Sequence, residues 1–236
     1  AEATFYQQGF AQIPATEFQA LGLNQRQIED LLKIGKTEEE HVILLQSAIA
    51  QAGVQPVQPC TYNFGFTDAA SMVATAAVLE NVGVSAYLGA AALVSDGSIL
   101  TTAGSILTVE ARHQTFVRAA TGAVAVPQAF DTPLSPRQVF SLAAPFITSC
   151  PDGSNLVLEA FPTLTMAPGQ NAQAVTAGST VQLQSDAAAG ATHCAFTAGG
   201  IPGGTAFTEF NQETGCVVPQ GLAGIVYVNL ASAGPL

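Results

Sequence analysis

Residues 28–49 read IEDLLKIGKTEEEHVILLQSAI. Ile28, Leu31, Leu32, Val42, Leu45 and Ile49 recur at the spacing of an amphipathic helix turned toward a core. Glu38 falls on that stripe, and His41, three residues further on, shares its face. A carboxylate and an imidazole aimed into a core are costly unless something pairs them. Glu39 and Glu40 lie off the stripe and read as solvated. Whatever pairs Glu38 and His41 has to come from elsewhere in the chain.

Two further stretches repeat the anomaly. Between residues 68 and 94 the stripe is Val73, Ala77, Glu80, Val84, Tyr87 and Ala91, with Glu80 where an apolar residue belongs. Between 98 and 120 it is Ile99, Ala103, Ile106, Glu110, His113 and Val117, again with an acid and an imidazole three residues apart. Arg112, between them, reads as reaching a surface acid. Three core carboxylates brought together repel, and the relief is protonation or a cation. Carboxylates and neutral imidazoles are the ligand set for iron, manganese or zinc, and a bridging Glu can hold two ions about 3.5–4 Å apart. Two Glu-x-x-His pairs on separate helices, with a lone core Glu on the helix between, follow the pattern of di-metal carboxylate bundles. The competing reading is a hydrogen-bonded network with protonated histidines and water, in a bundle kept for its shape.

The remainder of the N-terminal region is also helical by pattern. Residues 2–11 form a short helix stopped near Pro14, and 16–21 add a turn or two before Gly22. Asn24 caps the long helix, which ends near Gly53. A proline-bearing loop, GVQPVQPCTYNFGF, follows, and Thr67 caps the next helix with Asp68 in its first turn. Ser95, Asp96 and Gly97 make a turn. Ser135 followed by Pro136 opens a last short helix to about Ala144.

All six Lys and Arg precede residue 138, whereas from Pro151 onward there are five acidic residues and no Lys or Arg. That shift sets a domain boundary near Cys150, giving domains 1–150 and 151–236. Past it, short β-prone runs (156–158, 164–166, 180–183, 193–196, 206–210, 216–218 and 225–230) alternate with Gly, Pro and Asn, the pattern of a small antiparallel sandwich of immunoglobulin-like type. The fold class is therefore α + β in two domains. His193 reads as a surface residue rather than a ligand.

With 48% hydrophobic and 10% charged residues, the chain can build a sizeable core, and no uninterrupted apolar run reaches the roughly 18 residues of a membrane span. A net charge of −11 argues against nucleic acid as a partner. Cys60, Cys150, Cys194 and Cys216 contain no CxxC pair. Their even number, with few lysines, favours a secreted protein with two disulfides over four free buried thiols. Cys194 and Cys216 share the C-terminal segment, so the favoured pairs are Cys194 with Cys216 and Cys60 with Cys150.

Six segments together resemble a known family: EATFY at 2–6, EEEHVILL at 38–45, PCTYNFGFTD at 59–68, VLENVGVSAYLGAA at 78–91, SILTVEARH at 105–113 and FDTPLSPRQVFSLAAPFITSCP at 130–151. The chain is similar to the ferritin-like superfamily, and more narrowly to the secreted ferritin-like desiccation- and stress-related proteins of fungi and plants. The resemblance implies a left-handed four-helix bundle with a long crossover over 53–66. It assigns Glu38, His41, Glu80, Glu110 and His113 as metal ligands, and Tyr87 as a residue that orients a ligand rather than binding metal, unless it is simply a core aromatic. The symmetry that places Glu80 seven residues before Tyr87 asks for a Glu seven residues before Tyr6, a position ahead of Ala1. Glu2 aligns instead with Gly83, about one turn away, and would compensate only if the helix start shifts or frays. Five ligands in place of six imply one weakly held or absent metal.

The function this implies is an extracellular di-iron or di-manganese protein, with zinc as a further candidate metal, acting in metal oxidation or on oxygen or peroxide. The alternative is a non-enzymatic stress or cell-surface protein with a degenerate site, whose β-domain meets a glycan or a protein. A closed storage cage suits neither the extra domain nor the disulfides.

Overall fold

Four of the helices begin where side chains replace the hydrogen bonds that their first turns lack. The computed structural model describes residues 1–235, and its helices are α1 (Glu2–Gln12), α2 (Ala15–Ala20), α3 (Gln25–Gln51), α4 (Ala69–Ala90), α5 (Gly97–Ala120) and α6 (Pro136–Ala143). Asn24 and Gln27 form a reciprocal capping box at α3, and Ser135 with Gln138 does the same at α6, where Pro136 sits at the first position. The cap of α4 is Asp68 rather than Thr67. Its carboxylate accepts from Ser71 N at 2.7 Å, and the Ser71 hydroxyl accepts from Asp68 N. At α5 the Asp96 carboxylate accepts from the backbone of both Ser98 and Ile99.

In the first unit, residues 1–125 and 133–160, α4 is the central element and packs against α1, α2, α5 and α6, while α3 packs against α1, α2 and α5. Phe5, Tyr6, Phe18, Leu31, Phe64 and Met72 form the core at the α1 end, with Phe5 in edge contact with Phe64 at 5.1 Å. Leu32, Val42, Leu45 and Ile49, expected on the buried stripe, are exposed; the buried positions of α3 are Ile28, Leu31, Ile34, Gly35, Glu38 and His41. Leu32, beside the buried Leu31, is on the side of α3 turned from the core, whereas for Val42, Leu45 and Ile49 the reason is length. At 1.5 Å per residue, the 11 residues of α1 reach roughly 16 Å along the roughly 40 Å of the 27-residue α3. Ile99, at the start of α5, is likewise exposed.

The continuous helical stretch Ala69–Leu93 has the length and mean composition of a membrane span, but Glu80 and Asn81 interrupt its apolar run at mid-length. Its apolar character serves the bundle: Met72, Val73, Ala76, Leu79, Val82 and Val84 are buried, as is Glu80 at mid-length. The crossover from α3 to α4 carries β1 (Thr61–Tyr62), which pairs antiparallel with β2 (Ile147–Ser149). The Cys60–Cys150 disulfide closes the end of that ladder.

The second unit comprises residues 126–132 together with the chain from Phe161 onward. The division therefore falls ten residues past the boundary expected from charge, and the segment between α5 and α6 joins the second unit. The Phe130 carbonyl packs so closely on Gly199, and Pro127 on Gly224, that neither glycine has room for a β-carbon. The strands are β3 (Thr165–Met166), β4 (Thr180–Val181), β5 (Leu183–Gln184), β6 (His193–Thr197), β7 (Thr205–Glu209), β8 (Cys216–Val217) and β9 (Tyr227–Ala231). They pair antiparallel as β3–β5, β4–β8 and β7–β6–β9. These sheets are shorter and more divided than the expected immunoglobulin-like sandwich, and residues 156–158 form no strand. The Cys194–Cys216 disulfide ties β6 to β8, so both favoured cysteine pairs are formed.

Candidate metal centre

At mid-bundle, α3, α4 and α5 each turn acids inward. Glu38, Glu80 and Glu110 are at most 2% exposed, and His41 and His113 are buried with them. One potential ligand atom each from Glu38, Glu80, Glu110 and His113 lies within 4.8 Å of the others.

The contacts fall into two sets centred on the histidines. His113 Nδ1 lies 2.9 Å from Glu38 Oε1 and 3.3 Å from Glu80 Oε2. His41 Nδ1 lies 3.2 Å from Glu38 Oε2 and 3.2 Å from Glu110 Oε1. Glu38 is shared, one oxygen to each set. Metal–ligand bonds of about 2.1 Å at right angles place neighbouring ligand atoms roughly 3 Å apart, which is the spacing found in both sets.

Glu38 Oε1, Glu80 Oε2, Glu110 Oε2 and His113 Nδ1 are buried without a well-directed hydrogen bond, although His113 Nδ1 stands at ion-pair distance from the first two. Four such groups converging on one place are expensive. A cation satisfies all of them at once, so the residues fit a metal.

Two further residues join the site without having been assigned to it by pattern. Tyr6 donates its hydroxyl to Glu80 Oε1 at 2.5 Å, leaving Oε2 turned to the His113 set. Sequence symmetry marks Tyr6 as the counterpart of Tyr87, but the hydrogen bond that orients a carboxylate belongs to Tyr6. Glu2 is the other. A β-carbon at Gly83 would lie 2.8 Å from Glu110 Oε2 and 2.9 Å from Glu2 Oε1, so both carboxylates press on the same bare patch of α4. The alignment of Glu2 with Gly83 is thus a spatial fit, with the acid filling the room that the missing side chain leaves. Beside them a buried Gln114 donates to Asn81 at 2.6 Å.

The electrostatics follow from crowding. Burial, then the charges of Glu110, Glu38 and Glu80, hold the Glu2 carboxyl well above the usual range. Glu80 is pushed up to about 7, by burial first and by Glu110 and Glu38, against the opposing pull of His113. For Glu38 burial works upward, but its contacts with His113 and His41 prevail and hold it below the ordinary value. His41 is raised to about 9 by Glu110 and Glu38. His113 also stands at about 9, because Glu38 and Glu80 outweigh the burial that would lower it. Burial, then Glu110, Glu2 and Glu38, pushes the Tyr87 phenol upward.

Residues read as outside the site are outside it. Glu39 pairs with Lys36 at the surface, and Glu40 and Arg112 are both exposed, turned away from the cluster toward solvent. His193 is half-buried in β6 and bonds Thr192 through Nδ1 at 2.8 Å.

A helical bundle whose facing helices send acids and imidazoles to one buried point has the arrangement of the carboxylate bundles, with a residue set that could hold a metal. A family model described as the ferritin-like domain matches residues 1–123, and the chain belongs to that family. A search of curated proteins returns no match.

Proposed function

We propose that the bundle binds two ions of iron or manganese, one in each histidine-centred set, with Glu38 shared between them. In this reading His113, Glu80 and Glu38 would hold one ion, and His41, Glu110, Glu38 and Glu2 the other. The observation that carries it is the group of four buried ligand atoms, none with a well-directed hydrogen bond, gathered at coordination spacing. Bound there, the metals would supply redox exchange with oxygen or peroxide. The chain's own role is positional: Tyr6 fixes Glu80, the paired Asn81 and Gln114 fill the adjoining core, and burial keeps bulk water from the acids. A charged site of this kind binds metal only when both imidazoles have lost their protons, so uptake releases protons. The two disulfides are what supports an extracellular location in this reading. The four-helix core of the reading is α1, α3, α4 and α5.

The test is elemental analysis of native protein after loading with each metal, with anomalous scattering to place the ions. Two ions per chain between Glu38, Glu80 and Glu110 are expected. Protein that stays metal-free under replete conditions overturns the reading.

One observation favours a second reading. Both histidines stand near 9 and already face carboxylates, so a protonated pair can neutralise Glu38 and Glu110 in a scaffold without metal. The β-unit would then carry the interaction with a glycan or protein. Metal-free native protein that still unfolds as cooperatively as the loaded form would support this reading.

A further inference from the structure

The second unit contains a cavity of about 640 Å³ that the metal-site reading does not use. Its origin lies in the way the two strand layers are pinned. Cys194 on β6 and Cys216 on β8 join the layers, and two residues further along the chain from each, Phe196 on β6 and Val218 just past β8 are buried in the same core. In the register of β6 with β9, Cys194 stands opposite Leu230 and Phe196 opposite Val228. The cavity is lined by Phe196, Val228 and Val226 but not by Cys194 or Leu230. The layers are thus packed at the disulfide and diverge by the next side-chain pair along. Val181, Leu183, Phe196 and Val218 form a buried floor, while Thr165, Ala177 and Ala223 are exposed at the mouth.

We propose that this cavity is a binding site for an uncharged, hydrocarbon-rich small molecule. The volume falls within the roughly 300–1,000 Å³ of small-ligand pockets. Aliphatic side chains, Phe196 and Met166 dominate the lining, and among the described residues its side-chain hydrogen-bonding groups are the hydroxyls of Thr165 and Thr176. Charge selects further. The unit contains no Lys or Arg, so nothing there neutralises a carboxylate or phosphate head group, and Asp131, Asp186, Glu209 and Glu213 disfavour an anion at long range. A long-chain alcohol, a neutral terpenoid or an ester fits these constraints, and a fatty acid anion does not. The disulfide fixes the two layers to each other beside the cavity, so little ordering is lost on binding.

The test is titration of the full chain with the uncharged dye N-phenyl-1-naphthylamine, followed by competition with dodecanol and with dodecanoate at about pH 8, where the acid is ionised. Saturable binding of one dye per chain is expected, displaced by dodecanol about tenfold or more better than by dodecanoate. Ala177→Trp and Ala223→Trp, each at the mouth and outside the packed floor, are expected to weaken dye binding about tenfold or more with thermal unfolding unchanged. Absence of saturable binding overturns the proposal. So does equal competition by the acid, or dye binding that both tryptophan variants leave intact, which would place the dye on the exposed apolar half of α3.

Discussion

Glu2 and Gly83 form one device made of two residues, and substitutions at either read differently depending on whether metal is present. Glu2→Gln keeps the shape but removes the charge, so metal content is expected to fall from two ions toward one per chain, the loss being at the His41 set. Elemental analysis checks this, and unchanged stoichiometry would remove Glu2 from the site. Gly83→Ala carries a sign that a simple helix argument would get wrong. In an ordinary helix interior that change stabilises by about 1 kcal/mol. Here the new methyl would meet Glu110 Oε2 and Glu2 Oε1 at under 3 Å, so the variant is expected to lose metal affinity and gain no stability. The titrating groups give a third expectation, for chelated protein. His41 and His113, raised from 6.5 to about 9, contribute stability that is complete below about pH 6.5 and lost as pH rises through 9. Glu80, at about 7, prefers its neutral form in the fold and acts in the same direction, whereas the contribution of Glu38 disappears only toward acid. The melting temperature of the chelated protein should therefore fall between about pH 6.5 and 9.5, by about 2–4 °C for each kcal/mol lost. With metal bound the trend should reverse, because affinity rises as protons leave. A flat calorimetric profile for the chelated form would show that the histidines are neutral in the fold.

At the scale of elements, the bundle is held by close approaches that only glycine allows. A β-carbon at Gly89 would lie 1.9 Å from the Leu134 carbonyl oxygen, and Leu134 N donates to Ser85 O at 3.0 Å, so the segment before α6 lies directly on α4. Gly89→Ala is expected to cost about 1–3 kcal/mol, as overpacking does, measured by denaturant titration. The helices themselves were legible in the sequence because caps and three-residue spacing are local signals. Glu38, His41, Glu80, Glu110 and His113 were legible for the same reason: a polar residue on an apolar stripe shows in one dimension. The exposure of Val42, Leu45 and Ile49 was not, since period alone marks an amphipathic face without showing whether a neighbouring helix is long enough to cover it. Tyr6 and Glu2 escaped assignment because their partners lie on α4 and α5, and nothing local reports a hydrogen bond between helices.

On the scale of the whole molecule, the Cys60–Cys150 bridge spans 90 residues of sequence and anchors the crossover to the strand that follows α6. Loops of that order gain about 4–5 kcal/mol from cross-linking in the chain-entropy account. Cys60→Ser with Cys150→Ser is therefore expected to lower the unfolding free energy by about 2–4 kcal/mol, read from the shift of the denaturant midpoint. The strand runs past residue 160 were readable from turn punctuation, but their division into three small sheets was not. Pairing is decided by residues far apart in sequence, and Thr180–Leu183, read as one run, becomes β4 and β5, which pair in different sheets.

The segment 126–132 belongs to the second unit while the residues on either side of it belong to the first. On the ribosome it emerges well before Gly199 and Gly224, the two positions against which it packs. The bundle can close while this segment waits, but the β-unit can be completed only after Gly224 has been synthesised. A protease that cuts after residue 160 would accordingly release a C-terminal fragment lacking one piece of its own wall, and the bundle fragment would keep that piece as an orphaned loop.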